Sequence, residues 1–146
     1  MAEEHTLHVQ ILTPEGPVFE GDVRQLSTRT KVGEIGILAN HVPVLARLEP
    51  TELRIHTEDG EVLRYAQSEG WLQVFANQAL VLVGECLAPE ELDAETLRAR
   101  VADAEARMAG AEKDSAAFRR AERDLRRAQA FMSVTSLLID SGLPLT

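Results

Sequence analysis

The chain contains a single cysteine and no long apolar run, and each scarcity excludes a class of structure. Because Cys86 is the only cysteine among 146 residues, the chain has neither an intrachain disulfide nor a metal site built on several thiolates. Cys86 lies inside an apolar run, so we expect a buried structural thiol. No window of the sequence approaches the roughly 20 apolar residues of a membrane-spanning helix, so we expect only indirect contact with a membrane. The acidic segment Met1–Glu4 leads directly into a strand pattern, which predicts a bacterial cytoplasmic setting without a signal or transit peptide.

Positive charge is also scarce. The formal net charge of −9 argues against a nucleic-acid-binding protein that relies on phosphate neutralisation. Residues 1–88 carry 6 basic and 13 acidic side chains, whereas residues 115–135 carry five arginines against two acidic side chains. These arginines are Arg119, Arg120, Arg123, Arg126 and Arg127. A basic helix on an acidic chain suggests an acidic protein partner, and the alternative is a solvated helix face balanced by Glu122 and Asp124.

Recognisable catalytic motifs are absent from the sequence. The four histidines lie in separate predicted elements without the spacing of metal ligands, which favours structural or surface roles over a zinc site. Gly33 and Gly36 lack the following lysine of a phosphate-binding loop. The acidic pairs Glu3-Glu4 and Glu90-Glu91 suit solvation and helix capping better than general acid–base catalysis. We therefore predict a non-catalytic protein without a metal or a resident cofactor.

The first 88 residues alternate apolar and polar side chains in short runs. Leu7, Val9 and Ile11 alternate with polar residues, as in a strand that is buried on one face. Polar or Gly/Pro connections separate seven further runs. These are Val18–Thr28, Ile35–Leu38, Val44–Leu48, Leu53–Thr57, Val62–Gln67, Leu72–Ala76 and Leu80–Leu87. The spacing predicts an N-terminal β-sandwich or flattened barrel of about ten short strands over residues 1–88.

Turns and aromatic residues refine this prediction. The Asp59-Gly60 pair permits the positive φ values of a tight hairpin turn, and Phe75–Ala79 predicts another reversal. We expect Trp71 and Tyr65 to fill the core or cover one end of it, and the alternative is a surface that stacks on a ligand.

After Pro89 the apolar residues recur at helical spacing, which predicts an antiparallel hairpin of two helices over residues 89–146. Asp93 is placed to cap the first helix, and the connection Lys113-Asp114-Ser115 supplies an N-cap for the second. Apolar side chains then repeat at intervals of three and four. They are Leu97, Val101, Ala104 and Met108 in the first helix, and Phe118, Ala121, Leu125, Ala128 and Met132 in the second. Because alanines bury little area, we expect the hairpin to be the less stable part and able to change shape.

Four segments resemble one known family. The segment Gly33–Pro43 reads Gly-Glu-Ile-Gly-Ile-Leu-Ala-Asn-His-Val-Pro, and Ser68–Val74 reads Ser-Glu-Gly-Trp-Leu-Gln-Val. Together with Leu7–Pro14 and Val18–Gly21, they are similar to signatures of the ε subunit of the F-type ATP synthase. The resemblance extends over nearly all of the chain. Ala39-Asn40 stands where the family commonly has Pro-Gly, which alters one turn.

The resemblance implies a function and a set of partners. It implies a subunit of the central stalk in a proton-translocating F1Fo ATP synthase, on the cytoplasmic side of the bacterial plasma membrane. The sandwich would then dock on the γ subunit and the c-ring, and Glu34 and His41 match the family's contact positions. The alternative roles are a solvated turn residue for Glu34 and a loop brace for His41. The hairpin would inhibit ATP hydrolysis in the head of α and β subunits, where the five arginines would meet an acidic segment of β.

ATP binding is a separate question. Many bacterial members of the family bind ATP through (Ile/Leu)-Asp-x-x-Arg-Ala at the start of the first helix, together with arginines of the second. Here Asp93 and Arg98 are two residues too far apart, which rotates Arg98 by about 200° around a helix. Arg127 matches one arginine of the second helix, but Phe131 replaces another. We therefore expect weak or absent ATP binding by Asp93, Arg98 and Arg127.

The sequence does not exclude two other classes of protein. A free-standing β-sandwich that binds a ligand would need a concave pocket with convergent polar groups, and it would purify without ATPase subunits. A small hydrolase would need turnover that survives removal of all partners. The sequence of a stalk subunit does not identify the coupling ion as H⁺ or Na⁺.

Overall fold

A computed structural model describes residues 5–142, so the predicted acidic segment 1–4 lies outside the described residues. The chain divides into two compact units, Met1–Leu87 and Ala88–Thr146. The first contains ten strands, and the second contains a short 3-10 turn followed by two helices. The predicted fold class, a β-sandwich followed by a two-helix hairpin, is confirmed. Within residues 5–142, no helix is long and apolar enough to cross a membrane.

The ten strands follow the predicted runs, with two differences. Their bounds are β1 Leu7–Thr13, β2 Gly16–Val23, β3 Gln25–Thr30, β4 Gly33–Leu38, β5 Val44–Leu48, β6 Thr51–His56, β7 Val62–Gln67, β8 Gly70–Phe75, β9 Gln78–Val83 and β10 Cys86–Leu87. The run Val18–Thr28 breaks at Arg24, whose amide N–H donates to the carbonyl oxygen of His56 at 2.8 Å. At this point the chain leaves its pairing with β1 and begins to pair with β6. The run Leu80–Leu87 breaks in the same way, because β10 pairs with β7.

All strands belong to one sheet that folds over a single core. The strand order is β10-β7-β6-β3-β5-β8-β9-β1-β2, and β4 pairs with β3. Neighbouring strands are antiparallel except for β1 and β9, which run parallel. Side chains from the inner faces of both halves of the sheet fill the core, as in a sandwich. The alternation predicted for β1 is confirmed, since Leu7, Val9 and Ile11 are all at most 1% exposed.

A buried polar network crosses this apolar core. The Thr28 hydroxyl donates to Oε1 of Gln67 at 2.7 Å. The Gln67 amide nitrogen donates to the carbonyl oxygens of Glu49 and Ser68 at 3.1 and 3.0 Å. Gln67 and Ser68 are fully buried, and every polar atom of the Gln67 side chain therefore has a partner. The alternating pattern alone did not predict this network.

The two predicted reversals use different backbone conformations. Ala76 and Asn77 form the β8–β9 turn with φ of 51° and 61°, the left-handed values of a two-residue hairpin turn. In the β6–β7 turn Gly60 has a positive φ of 87°, whereas Asp59 is not left-handed. The Asp-Gly pair therefore supplies one left-handed residue, from glycine.

One aromatic prediction holds and the other is wrong. Tyr65 is partly buried against the core. Trp71 is 46% exposed on the outer side of β8, because its neighbour Leu72 takes the inward position and side chains alternate along a strand. The sequence pattern predicts that side chains alternate along β8, but it does not predict whether Trp71 or Leu72 faces inward.

The helices are α1 Ala94–Ala109 and α2 Ala116–Asp140. Both predicted caps are present: Asp93 accepts from the amide N–H of Glu95 at 3.3 Å, and Ser115 accepts from that of Phe118 at 3.1 Å. Arg107 of α1 pairs with Asp124 of α2 at 3.0 Å. The predicted stripes contribute the buried residues Leu97, Ala104, Ala121 and Ala128. Helix α2 also buries residues outside its predicted stripe, namely Phe131, Val134, Thr135 and Leu138.

Candidate interaction surfaces

Strand β4 carries the first candidate surface, with Glu34 near its start and His41 three residues beyond its end. Glu34 is exposed and lies opposite Arg29 of β3, an opposite-charge pair across two antiparallel strands. The preceding turn exposes Val32 almost completely, at 98%. Gly33 has a φ of 135°, a conformation that favours glycine. This end of β4 therefore presents a carboxylate beside an unburied apolar side chain.

His41 braces the loop that follows β4. Its backbone N–H donates to the carbonyl oxygen of Leu38 at 3.2 Å. Its ring nitrogen Nδ1 lies 2.7 Å from the carbonyl oxygen of Val42. Because a carbonyl only accepts, Nδ1 is the donor in this contact. The half-buried His41 has the bracing role considered as the alternative, and its contact with a partner stays a prediction.

Sequence reasoning missed the residue that holds this loop in place, Asn77. Its side-chain oxygen accepts from the amide N–H of Asn40 at 2.8 Å. Its side-chain nitrogen donates to the carbonyl oxygen of Thr6 at 2.8 Å. Asn77 thus joins the β8–β9 turn to the loop after β4 and to the segment before β1. An asparagine with φ of 61° is a recognisable turn signal, but its two long-range partners cannot be read from the sequence.

The structure does not bring Glu34 and His41 together. They lie toward opposite ends of β4, and the four residue steps from Glu34 to Leu38 alone span about 13 Å. A single partner that contacts both must therefore extend along the strand, or two partners must contact one end each.

The second signature, Ser68–Val74, has a structural explanation. A Cβ atom on Gly70 would stand 2.0 Å from the carbonyl oxygen of Leu82, so the backbone of β9 leaves room only for glycine. The Ser68 hydroxyl accepts from the amide N–H of Glu85 at 2.8 Å, which ties the start of β8 to the segment before β10. These contacts fix the position of β8 and the outward direction of Trp71.

The second candidate surface is the arginine face of α2. Arg119, Arg120, Arg123, Arg126 and Arg127 have relative spacings of 0, 1, 4, 7 and 8, so at 100° per residue they lie within a sector of about 120°. All are exposed except Arg127, which is half-buried. The buried residues Ala121 and Ala128 lie on the opposite side of the same turns. The arginines therefore form one continuous cationic surface.

Internal contacts occupy part of this face. Arg119 donates to the carbonyl oxygen of Asp114 at 2.6 Å. Arg123 and Arg107 both donate to the carboxylate of Asp124, at 3.0 Å each. Burial raises the pKa of Asp124, but the hydrogen bonds from Arg123 and Arg107 outweigh it and leave this pKa below its usual value. Asp124 thus neutralises one edge of the arginine face.

The three residues considered for ATP lie in the helical unit. Asp93 is committed to capping α1, since it also accepts from the Thr96 hydroxyl at 2.6 Å. That hydrogen bond lowers the pKa of Asp93 below its usual value. Arg98 is exposed, and Phe131, in the place of a further arginine, is fully buried with Arg100 lying over its ring at 5.7 Å. Weak or absent ATP binding remains a prediction.

The β unit also has an open cleft of about 830 Å³. It lies among the β2–β3 junction, the loop after β4 and the β6–β7 turn. Its polar lining residues include His5, Arg24, Gln25, Asn40, His56 and Glu61. Among residues 5–142, no three histidine, cysteine or acidic side chains are grouped so as to hold a metal ion.

Comparison with solved structures finds a similar fold in two chains of ATP synthases. One similar chain comes from the mitochondrial ATP synthase of Euglena gracilis, whose structure contains OSCP, F1 and the c-ring. It superposes with a TM-score of 0.73 at 23% identity, and the match covers 89% of this chain and 81% of that one. A chain in the central stalk and c-ring of the Tetrahymena thermophila mitochondrial ATP synthase gives a TM-score of 0.54 at 19% identity, covering 88% and 95%. At these identities the two likenesses show a common fold.

Sequence comparison shows the family. The β-sandwich domain of the ATP synthase delta/epsilon chain matches residues 6–89. The ATP synthase epsilon chain of Halalkalibacterium halodurans is 38% identical over 123 residues, which cover 84% of this chain and 92% of that protein. The epsilon chain of an Exiguobacterium species is 31% identical over 133 residues, covering 91% and 98%. The chain therefore belongs to the ATP synthase epsilon chain family.

Proposed function

We propose that this chain is the ε subunit in the central stalk of a bacterial F1Fo ATP synthase that translocates protons. In this role the β unit binds the γ subunit and the c-ring and passes rotation between them without catalysing a reaction. The observation that carries the proposal is the match to epsilon chains over more than four-fifths of this chain and nearly the full length of those relatives. In this proposal the subunit lies on the cytoplasmic side of the bacterial plasma membrane and reaches the membrane only through its partners.

The ends of β4 supply the proposed contacts of the β unit. Glu34 follows the exposed Val32 by two residues, and His41 directly precedes the exposed Val42. A carboxylate or an imidazole next to an apolar side chain suits a polar loop with some apolar surface, such as those that connect the helices of a c-ring.

The helical unit is the proposed regulatory part, which inhibits ATP hydrolysis by the α and β subunits. Support comes from the arginine face of α2, because a surface of five cations favours an acidic segment of a partner. Support also comes from the small buried side chains Ala104, Ala121 and Ala128, which add little apolar area, since the large buried side chains of α2, Phe131, Val134 and Leu138, lie only in its second half.

Co-purification tests the assignment. A tagged copy expressed in its own cell should bring down the γ subunit together with α and β under gentle conditions. Recovery of the tagged chain alone, as a stable monomer, would contradict the assignment.

A second function is favoured by one observation, the open cleft in the β unit. A free-standing ligand-binding sandwich would use such a cleft and would have no ATPase partners. The same co-purification separates the two functions.

Truncation tests the inhibitory role. A chain that ends at Leu87, the boundary of the first unit, should still assemble with γ, and ATP hydrolysis by the complex should rise. Unchanged hydrolysis in a complex that contains the truncated chain would remove the inhibitory role.

A further inference from the structure

The open cleft of about 830 Å³ in the β unit has the size of a small-molecule site. The register places Leu38, Gln25 and His56 side by side across β4, β3 and β6, and all three line the cleft. Residues that are paired in this way on antiparallel strands point to the same face of the sheet. The β2–β3 junction, the loop after β4 and the β6–β7 turn surround this row, so side chains from three connections converge on one space.

Hydrogen bonds hold each of these connections in place. At the β2–β3 junction the amide N–H of Arg24 donates to the carbonyl oxygen of His56 at 2.8 Å. In the loop after β4 the amide N–H of Asn40 donates to a side chain of the β8–β9 turn, also at 2.8 Å. In the β6–β7 turn the amide N–H of Thr57 donates to the carbonyl oxygen of Glu61 at 2.9 Å, and that of Glu61 donates to the Thr57 hydroxyl at 3.1 Å. The backbone around the cleft is therefore preformed, which lowers the entropy cost of binding a ligand.

One side of the cleft offers donors to an anion. Among residues 5–142, the guanidinium of Arg24 and the imidazoles of His5 and His56 have no hydrogen-bond or ion-pair partner. Arg24 and His5 also line an adjoining pocket of about 220 Å³, so they lie close to each other. A guanidinium presents a planar fork of donors that matches phosphate oxygens, and a neutral imidazole donates one N–H. Arg24 and the two histidines therefore suit a phosphate group.

Other groups of the cleft suit hydroxyls. The carboxylate of Glu61 has no partner within the part of the chain that the structure describes. The side chain of Gln25 bonds through its nitrogen, to the Ser27 hydroxyl at 3.2 Å, which leaves its oxygen as an acceptor. A carboxylate repels a bare phosphate dianion, and residues 1–88 carry 13 acidic against 6 basic side chains. The same carboxylate accepts hydrogen bonds from hydroxyls, as an acidic residue does at the ribose of dinucleotide sites. The lining therefore favours a ligand that joins a phosphate to a neutral part with hydroxyl groups.

We propose that this cleft binds a sugar phosphate, either free or within a nucleoside monophosphate. The phosphate lies against Arg24 and His56, and the hydroxyls donate to Glu61 and Gln25. A carbon face of the ligand covers Leu38, which is 57% exposed. Binding uses the β unit alone, so the inference goes beyond the proposed function and holds whether or not the chain joins an ATP synthase. The residues considered for ATP belong to the helical unit and do not line this cleft.

Histidine ring signals in NMR spectra provide the measurement, because His5 and His56 line the cleft whereas His8 does not. The full chain, with its histidine rings labelled with carbon-13, is titrated separately with ribose 5-phosphate and with AMP at constant pH and ionic strength. We expect the ring signals of His5 and His56 to shift with a Kd below about 1 mM. The signal of His8, whose ring nitrogens contact Asp22 and Glu20 at 2.9 Å each, should not move. Ribose and inorganic phosphate, which each carry one part of the ligand, should bind at least about tenfold more weakly.

Two variants test the assigned roles. Arg24→Gln should weaken binding of ribose 5-phosphate about tenfold, because it removes charge-assisted hydrogen bonds to the phosphate. The matched control Arg29→Gln removes an exposed arginine near the other end of β3 and should change binding less than about twofold. Glu61→Gln removes a charge that repels phosphate and weakens an acceptor for hydroxyls, so it should narrow the preference for ribose 5-phosphate over inorganic phosphate. Thermal unfolding of each variant verifies that the β unit is folded.

The outcomes decide each part of the inference. Binding of either ester supports the site, and the tighter of the two shows whether a nucleotide base also occupies the cleft. Unmoved signals of His5 and His56 at about 10 mM of both esters would overturn the site. Equal binding by Arg24→Gln and the unaltered chain would overturn the position of the phosphate, and equal binding of inorganic phosphate and ribose 5-phosphate would overturn the sugar part. None of these results bears on assembly with γ, which the co-purification tests separately.

Discussion

At the scale of single residues, the contacts of His8 make part of the stability depend on pH. Hydrogen bonds to Asp22 and then Glu20 raise the pKa of His8 above its usual value, and the bond from His8 lowers the pKa of Glu20. A raised histidine pKa stabilises the fold below the unfolded value near 6.5, and this contribution is lost as the pH rises through the folded pKa. A lowered glutamate pKa acts in the opposite sense, and its contribution is lost as the pH falls through the folded pKa of Glu20.

We therefore predict that His8→Gln lowers the melting temperature of the β unit at pH 5.5 more than at pH 8.5. The difference should be small, on the order of 2 °C at pH 5.5, because the contacts are exposed to solvent. Circular dichroism melts at both pH values provide the measurement, with His56→Gln as the control. A deficit in His8→Gln that grows toward pH 8.5 would contradict the prediction.

Asn77 gives a second prediction at this scale. Asn77→Gly keeps the left-handed turn but removes the side-chain contacts to Asn40 and Thr6, which should cost about 1–2 kcal/mol of unfolding free energy. Asn77→Asp keeps the oxygen that accepts from Asn40, but it replaces the donor to Thr6 with a carboxylate oxygen that repels the Thr6 carbonyl. Hydrogen exchange at the Asn40 amide should therefore be fast in Asn77→Gly and remain slow in Asn77→Asp. Equal protection in both variants would show that Asn77 does not hold the loop.

Only some of the residues at the candidate surfaces could be predicted from the sequence. Gly33, Glu34 and His41 were found by their signature, and the structure supplies a backbone reason for Gly33. Asn77 was seen only as part of a turn, because its partners are 37 and 71 residues away. Trp71 is predicted to fill the core or cover one end of it, because a large aromatic residue favours burial, whereas in the structure it lies on the outer side of β8. The partners of Asn77 and the orientation of Trp71 both depend on pairing between segments that are far apart in the chain. A single sequence does not show which segments pair.

At the scale of elements, Asp93 has a role in α1 that does not require ATP. As N-cap it binds the first-turn amide of Glu95 and the Thr96 hydroxyl. Asparagine caps helices about as well as aspartate, whereas alanine does not. We predict that Asp93→Ala destabilises the helical unit by about 1 kcal/mol and that Asp93→Asn leaves it nearly unchanged at pH 7. Thermal melts followed at 222 nm measure the difference.

The same variants test nucleotide binding. The unaltered chain, Asp93→Asn and Asp93→Ala should all fail to bind ATP with micromolar affinity in a calorimetric titration. Micromolar binding by the unaltered chain that is lost in Asp93→Asn would refute the prediction, because a cap retained by asparagine cannot explain that loss.

The helices also show a limit of periodicity. The predicted stripes identified Leu97, Ala104 and Ala128 correctly. The predicted stripe did not include Phe131 and Leu138, because they lie about 100° away from it around the helix. The same side of α2 carries arginines in the first half of the helix. A helix that is buried on different sides along its length cannot be described by a single repeating position.

At the scale of the whole molecule, the charge distribution sets a prediction for the arginine face. The chain has a net charge of −9, yet α2 concentrates five arginines in one sector. An attraction between this face and an acidic segment acts through solvent, where the Debye length is about 10 Å at 0.1 M salt and about 3 Å at 1 M. If the charges of the arginines hold the inhibited state, high salt should weaken inhibition of ATP hydrolysis. Removing those charges should then weaken inhibition at low salt but change it little at high salt.

We therefore predict that neutralising Arg119, Arg123 and Arg126 together to glutamine weakens inhibition of ATP hydrolysis several-fold at about 50 mM salt and much less at about 500 mM. The control replaces three exposed cations outside α2, Arg24, Lys31 and Arg98, so that the change in net charge is the same. Hydrolysis by the assembled complex is measured at both salt concentrations. A nonspecific effect of net charge would make both triple variants equally active, whereas contact through the arginine face raises hydrolysis only in the first. Equal loss of inhibition at both salt concentrations would instead show that the arginines act through short-range packing and not through their charge.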